Sequence, residues 1–197
     1  MDARTTHSPS YQDLVSLGRR LYDQALVRRE QEPITDPRGQ PIGWLLDTRI
    51  PMLDADTFRE VGSVLAERLQ ARGADQVVGF GFGAYAMVCS VLASGEGVRG
   101  GLVREARKPH GRRRLVEGPL DRSTGVVLLD DILNSGRSAA RAVALLRSDG
   151  FKVTGLMTLF NFTWSGGRTR LEAEGLWVDA LLDLNLRTGP QSSHDSP

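Results

Sequence analysis

Val126-Val127-Leu128-Leu129-Asp130-Asp131-Ile132-Leu133-Asn134-Ser135-Gly136-Arg137-Ser138 is the stretch around which the chain is organised. Four apolar residues run into two adjacent carboxylates. A loop of small residues follows, and then an alanine-rich helical pattern. The order reads as strand, anionic strand end, anion-binding turn and helix. A continuously apolar strand between helical segments is the mark of a parallel sheet buried on both faces. Such a strand carries two carboxylates at its end only when something pairs with them, because an uncompensated buried charge is very costly. Ribose hydroxyls or a hydrated metal ion are suitable partners. The loop after the acids can aim backbone N–H groups at a phosphate, reinforced by the positive end of the helix that it opens.

Outward from this stretch, strand and helix patterns alternate. Residues 76–80 read as a strand, 84–93 as a helix, 100–103 as a short strand and 125–130 as the strand just described. Residues 137–148 read as a helix with Arg137 and Arg141 outward, closed by Gly150, and 152–160 as a further strand. The alternation predicts an α/β fold, a doubly wound and mostly parallel sheet flanked by helices. Upstream, Ser10-Tyr11-Gln12-Asp13 fits a capping box. Leu14, Leu17, Leu21 and Ala25 continue at helical spacing, which predicts a helix to about residue 30, stopped by Pro33. Residues 33–43 are rich in turn formers, Trp44-Leu45-Leu46-Asp47 reads as a short strand, and Phe58, Val61, Leu65 and Leu69 mark a helix ended by Gly73. These upstream pieces make a small N-terminal helix/strand hood. Residues 1–9 and 189–197 are polar and expected to be disordered tails around a single domain at 10–188.

The 197 residues suit one domain with a full core. With 25 basic and 24 acidic side chains, global charge gives no sign of nucleic-acid binding. The one cysteine, Cys89, rules out an intrachain disulfide and falls in an apolar helical pattern, which predicts core packing. No apolar run is long enough for a membrane span, and the N-terminus lacks a signal core, so a soluble, cytoplasmic protein is expected.

Two further segments carry chemistry. Gly79-Phe80-Gly81-Phe82-Gly83-Ala84 follows a strand and opens a helix. Its glycines let backbone approach an anion, or serve a tight turn alone. The segment also satisfies the dinucleotide pattern G-x-G-x-x-G/A, but a nicotinamide-dependent oxidoreductase would leave the acid pair unexplained. The second segment runs from Arg99 to Arg114, with seven basic residues against one acid in a chain of net charge +1. Like charges at this density repel, which predicts a mobile loop that a polyanion orders. Arginine supplies bidentate contacts to phosphate and lysine a point charge. A solvated loop or a nucleic-acid patch is the competing reading, and no aromatic residues are interleaved for base stacking.

The acid-pair stretch resembles the phosphoribosyl pyrophosphate (PRPP) signature of type I phosphoribosyltransferases, departing at Asn134, where that family usually has Thr. Val103-Arg104-Glu105-Ala106-Arg107-Lys108-Pro109-His110-Gly111, followed by Glu117-Gly118, resembles the catalytic loop of the orotate phosphoribosyltransferases. Arg104, Lys108, His110 and Gly111 match residue for residue, whereas Glu105 stands in place of Lys. In the glycine loop, orotate enzymes often carry a Lys at the position matching Gly83, so backbone amides would serve alone. The Lys expected upstream of Trp44 is replaced by Ile34-Thr35-Asp36. The Asp-Arg pair whose Arg contacts the carboxylated base is absent from Leu159-Phe160-Asn161-Phe162. A site without these cations should reject an anionic pyrimidine.

The resemblance implies transfer of the phosphoribosyl group from PRPP to a small acceptor other than orotate. Asp130 and Asp131 would hold the ribose hydroxyls and Mg²⁺, the metal through water. Asn134, Ser135, Gly136, Arg137 and Ser138 would bind the 5′-phosphate, and Gly81, Phe82 and Gly83 the pyrophosphate. Arg104, Lys108 and His110 would close over the pyrophosphate, with Lys108, His110 and Asp131 catalytic. Trp44, Phe160 and Asn161 would line the acceptor pocket, with Phe162 and Trp164 nearby. A homodimer sharing the basic loop 104–118 between subunits is implied, with neither nucleic acid nor membrane as a partner. Glu105 and Asn134 also fit an alternative, a non-catalytic PRPP or nucleotide sensor on the same scaffold.

Overall fold

The apolar runs become the strands of one six-stranded sheet. The structure, a computed structural model, describes residues 11–36, 38–106 and 114–185. The expected disordered tails, Ser10 of the capping box, Pro37, and loop residues Lys108, His110 and Gly111 lie outside the described residues. In chain order the elements are α1 (Tyr11–Ala25), β1 (Leu26–Arg28), β2 (Trp44–Leu46), α2 (Arg49–Met52), α3 (Ala55–Ala71), β3 (Gln76–Phe80) and α4 (Phe82–Ser94). They continue with β4 (Arg99–Val103), β5 (Val116–Glu117), β6 (Gly125–Leu133), α5 (Arg137–Ser148), β7 (Lys152–Phe162), α6 (Gly167–Ala173) and β8 (Trp177–Leu184). The large sheet has the order β5-β4-β3-β6-β7-β8. All its neighbours are parallel except β5, which folds back antiparallel on β4. This is the doubly wound, mostly parallel sheet that the alternation predicts.

Two apolar layers cover the sheet. On one face α1, α3 and α4 bury Leu17, Leu21, Leu65, Leu69, Met87 and Val91 against Val127, Leu129 and Met157. On the other, α5 and α6 bury Ala142, Val143, Leu146 and Leu171 against Val126, Leu128 and Leu156. The alternation of β6, with 127 and 129 to one side and 126 and 128 to the other, is the period of a strand buried twice. Among the described residues no helix is long and apolar enough to cross a membrane.

Four expectations are corrected. The first helix ends at Ala25 and not near residue 30, because Leu26–Arg28 pairs antiparallel with Trp44–Leu46 and Val27 is buried there. Tertiary pairing overrides the helical periodicity. Strand β6 does not stop at Asp130 but continues to Leu133, held by β7 through the pairs Asp130↔Thr158, Ile132↔Phe160 and Leu133↔Asn161. Strand β7 likewise runs on to Phe162. Cys89 is exposed, not in the core. The buried stripe of α4 is Ala84, Met87, Val88 and Val91, and Cys89 falls off it.

Candidate active site

The acid pair sits inside a strand, so its two carboxylates point to opposite faces. They are not equivalent. Asp130 is buried among the strands, and that burial, with the Asp131 charge beside it, pushes its carboxyl up to about 8. Asp131 lies on the α4 face. Its Oδ2 accepts a 2.5 Å hydrogen bond from Oγ1 of Thr48, itself buried. It rests directly on the glycine loop: a Cβ at Gly83 would come within 2.1 Å of the same oxygen. The resemblance places a Lys at this position, and here only hydrogen fits. Gly81, which precedes α4, has φ +85°, a conformation natural to glycine. The glycine loop and the acid pair are therefore one assembly.

Thr48 was not legible as a site residue. It precedes α2 and would ordinarily be read as its capping residue. Its hydroxyl makes no cap hydrogen bond and is given to Asp131. Next to it Arg49 is clamped by Asp47, with Nη2 and Oδ2 2.6 Å apart. That guanidinium holds the Asp47 carboxyl below the usual carboxylate range. Arg49 also feels the charge of Asp131. The hood is thus fastened to the acid pair.

On the other side of the strand end, Gly136 precedes α5 in the left-handed region, φ +71°. The loop Asn134–Ser138 leads into the first turn of α5, whose N–H groups have no partner within a helix. Its carbonyls are held from behind. Ser165 Oγ lies 2.6 Å from the carbonyl of Asn134 and 2.7 Å from that of Phe162, and Arg170 Nε donates to the carbonyl of Ser135 at 3.0 Å. Gly167 packs so closely that a Cβ there would come within 2.0 Å of the Asn134 oxygen. Ser165, Gly167 and Arg170 were also missed. The only sequence signal was the Ser-Gly-Gly turn after β7.

The basic segment leaves and re-enters the sheet through the β4–β5 pair. Arg104 N–H donates to the Leu115 carbonyl at 2.9 Å, and Arg104 Nε lies 3.2 Å from Glu117 Oε1. Glu105 turns to Arg141 of α5, 4.0 Å away. Lys108 and His110, between these anchors, lie outside the described residues.

The expected acceptor residues divide. Phe160 is fully buried, packed edge-on to Tyr22 with centroids 6.4 Å apart, and belongs to the core. Asn161 is also buried, on the opposite face, where its Nδ2 donates to Asp183 at 2.7 Å. Its Oδ1 has no partner among the described residues. Arg168 completes this group by donating to Asp183 and to the Val178 carbonyl. Trp44 is half-buried against the core. It meets Phe162 edge-on at 6.1 Å, and Phe162 stacks on Trp164 at 4.7 Å with 16° between planes. Phe82, expected at the pyrophosphate, is 73% exposed and lines an apolar groove with Met52, Leu53, Phe58, Tyr85 and Cys89.

No family model matches the chain. An orotate phosphoribosyltransferase of Corynebacterium glutamicum is 31% identical over 153 residues, covering 77% of this chain and 83% of that one. The crystal structure of orotate phosphoribosyltransferase from Mycobacterium tuberculosis, in complex with Fe(III) dicitrate, superposes with a TM-score of 0.75 at 24% identity, covering 87% of this chain and 96% of that one. The same enzyme in complex with PRPP superposes with a TM-score of 0.68 at 21% identity, covering 89% and 91%. At such identities the two crystal structures bear on the fold, and the sequence relative bears on descent. The chain belongs to the type I phosphoribosyltransferase family, close to the orotate phosphoribosyltransferases.

Proposed function

We propose that this phosphoribosyltransferase moves the phosphoribosyl group of PRPP onto a ring nitrogen of a small acceptor other than orotate, releasing pyrophosphate. The observation that carries the reading is Asp131, fixed between the Thr48 hydroxyl and Gly83 on the strand that opens the α5 loop. In the reaction the nitrogen lone pair forms the new N–C1 bond. The electrons of the C1–O bond leave with pyrophosphate, and the nitrogen's proton passes to water. Positive charge grows on the ribose and negative charge on the leaving group, so positioning and electrostatics carry the catalysis.

Asp131 accepts from the ribose hydroxyls, and Asp130, buried on the opposite face of the strand, stands behind it. The N–H groups between Asn134 and Ser138, with Arg137, take the 5′-phosphate. Backbone of Gly81, Phe82 and Gly83 meets the pyrophosphate, and Arg104, Lys108 and His110 close over it. Among the described residues no cluster of three or more metal-ligating side chains exists. The Asp131 carboxylate nonetheless fits Mg²⁺, which commonly takes one or two carboxylates together with substrate phosphates and water. When bound, Mg²⁺ neutralises part of the charge that develops on pyrophosphate. Two chains pair as a homodimer, with the basic loop of each reaching the other's site. The exposed Ile50, Leu53 and Phe82 around the apolar groove support such a contact.

The test is pyrophosphate release from Mg²⁺ and PRPP with orotate, uracil, adenine and nicotinamide in separate reactions, beside calorimetry of PRPP binding. Release with an uncharged base and little with orotate is expected. Asp131→Asn should weaken PRPP binding about 10- to 100-fold, the loss of a hydrogen bond to a charged group. Robust orotidylate formation, or unchanged PRPP binding by the variant, refutes the respective half of the proposal. Glu105, standing where the resemblance expects Lys, favours a second reading, a PRPP sensor, which would bind PRPP without turnover on any base.

A further inference from the structure

We infer that Arg170 is a positioning residue for the 5′-phosphate of PRPP: from α6 it fixes the Ser135–Gly136 peptide so that the Gly136 N–H is aimed at the phosphate. The inference rests on the phosphoribosyl-transfer reading above. It adds a residue that acts through the loop and not by touching the substrate.

A trans peptide unit carries its carbonyl and its N–H on opposite sides. Arg170 Nε donates to the carbonyl of Ser135 at 3.0 Å, so the N–H of Gly136, in the same peptide unit, is turned away from Arg170. Among the described residues the N–H groups of Ser135 and Gly136 make no backbone hydrogen bond. Gly136 is a buried residue, and a bound phosphate supplies the acceptor that its N–H lacks. The peptide is gripped closely. A Cβ at Gly136 would lie 3.1 Å from Cα of Gly167 and 3.4 Å from Cδ of Arg170. The stem of the arginine therefore covers the loop while its Nε holds it.

The charge of Arg170 serves the same end. On the same face Arg147 pairs with Glu174 and Arg168 with Asp183. Arg170 has no carboxylate partner among the described residues and is spent on a main-chain oxygen. Arg137 approaches the same residue from α5, its Nε 3.4 Å from the Ser135 hydroxyl. Two guanidiniums thus converge on Ser135, one at its carbonyl and one at its side chain. A cation on a carbonyl polarises the peptide and strengthens its N–H as a donor.

The experiment compares wild type, Arg170→Met and Arg170→Lys. Calorimetry reads ribose 5-phosphate, which carries only the 5′-phosphate end of PRPP, and pyrophosphate with Mg²⁺, which carries only the other. Arg170→Met should weaken ribose 5-phosphate about tenfold, the lower end for a hydrogen bond involving a charged group, and leave pyrophosphate affinity unchanged. With the base that turns over fastest, KM for PRPP should rise by the same factor at unchanged kcat, because a group remote from C1 is held equally in the ground and transition states. Arg170→Lys keeps a charged donor and should restore most of the affinity. The inference is overturned if Arg170→Met binds ribose 5-phosphate as wild type does, if Arg170→Lys restores nothing, or if both ends of PRPP weaken together, the sign of a collapsed site. A wild-type protein that binds ribose 5-phosphate in this Arg170-dependent way, yet releases no pyrophosphate with any base, overturns the transfer reading and leaves the positioning role standing.

Discussion

Thr48 and Asp131 show how much a single contact can decide. The threonine hydroxyl is buried, and its proton goes to a carboxylate rather than to the helix end beside it. Thr48→Val keeps the shape and removes the donor. PRPP affinity measured by calorimetry should fall about 10-fold or more, since hydrogen bonds to charged groups contribute about 1.5–3 kcal/mol, while the far-UV spectrum stays unchanged. Asp47 gives a pH-dependent test at the same scale. Arg49 holds its carboxyl below the usual range. A depressed carboxyl stabilises the folded state fully above its unfolded pKa, and that contribution fades as pH falls through its folded pKa. The denaturant midpoint of Asp47→Asn should therefore lie below wild type at neutral pH, and the two should converge in acid. Neither residue was legible in advance. Sequence spacing places Thr48 at a helix start, and only the packing of the hood on the sheet brings it to an acid 83 positions away.

At the scale of elements, one physical cause explains two misplacements. The expected strands ended at residues 130 and 160, yet β6 and β7 continue together to Leu133 and Phe162. Carboxylates and an amide look like strand ends in a sequence, but the ladder between the two strands carries the chain past them. Phe160 and Phe162 lie two apart and so share a face. Extending the strand moves the sheet edge from the first to the second, which puts Phe160 in the core and leaves Phe162 half-buried at the end of β7. The central strands and α5 were readable because they are continuously apolar or strongly periodic. The pieces β1, β5, α2, α6 and β8 were not. Four of them are short, and the edge strand β8 mixes Asp179 and Asp183 into its apolar positions, where they serve Arg68, Arg72, Arg168 and Asn161. Helix α6 has its own test. Gly167→Ala would press a methyl group into the Asn134 carbonyl. Binding of PRPP should weaken several-fold by calorimetry, whereas helix and strand content measured by circular dichroism should not change.

For the whole molecule, an apolar groove lies between α2, α3 and α4, beside the glycine loop. Leu53 is 79% exposed and Phe82 73% exposed at its rim. If two chains meet there, Leu53→Asp combined with Phe82→Asp should yield monomers by light scattering after size exclusion. Turnover should fall with dimer content, because the basic loop no longer reaches a neighbouring site. A wild-type protein that is monomeric at micromolar concentration would remove the dimer from the proposal. Fold class could be read from the chain alone, since the strands and helices reside in contiguous runs of residues. The contacts that brace the acid pair and the loop after it could not, since Thr48, Ser165 and Arg170 come from the hood and from the turn and helix beyond β7.

The Ser165 hydroxyl lies within hydrogen-bond reach of two main-chain carbonyls, those of Asn134 and Phe162, and its one proton serves either as a brace for the loop before α5. A carbonyl is the same atom whatever side chain its residue carries. Positions 134, 162 and 164 can therefore change identity over descent while the brace that sets the loop remains in place. An inherited donor site can be kept while the neighbouring surface is rewritten, residue by residue, toward a new acceptor.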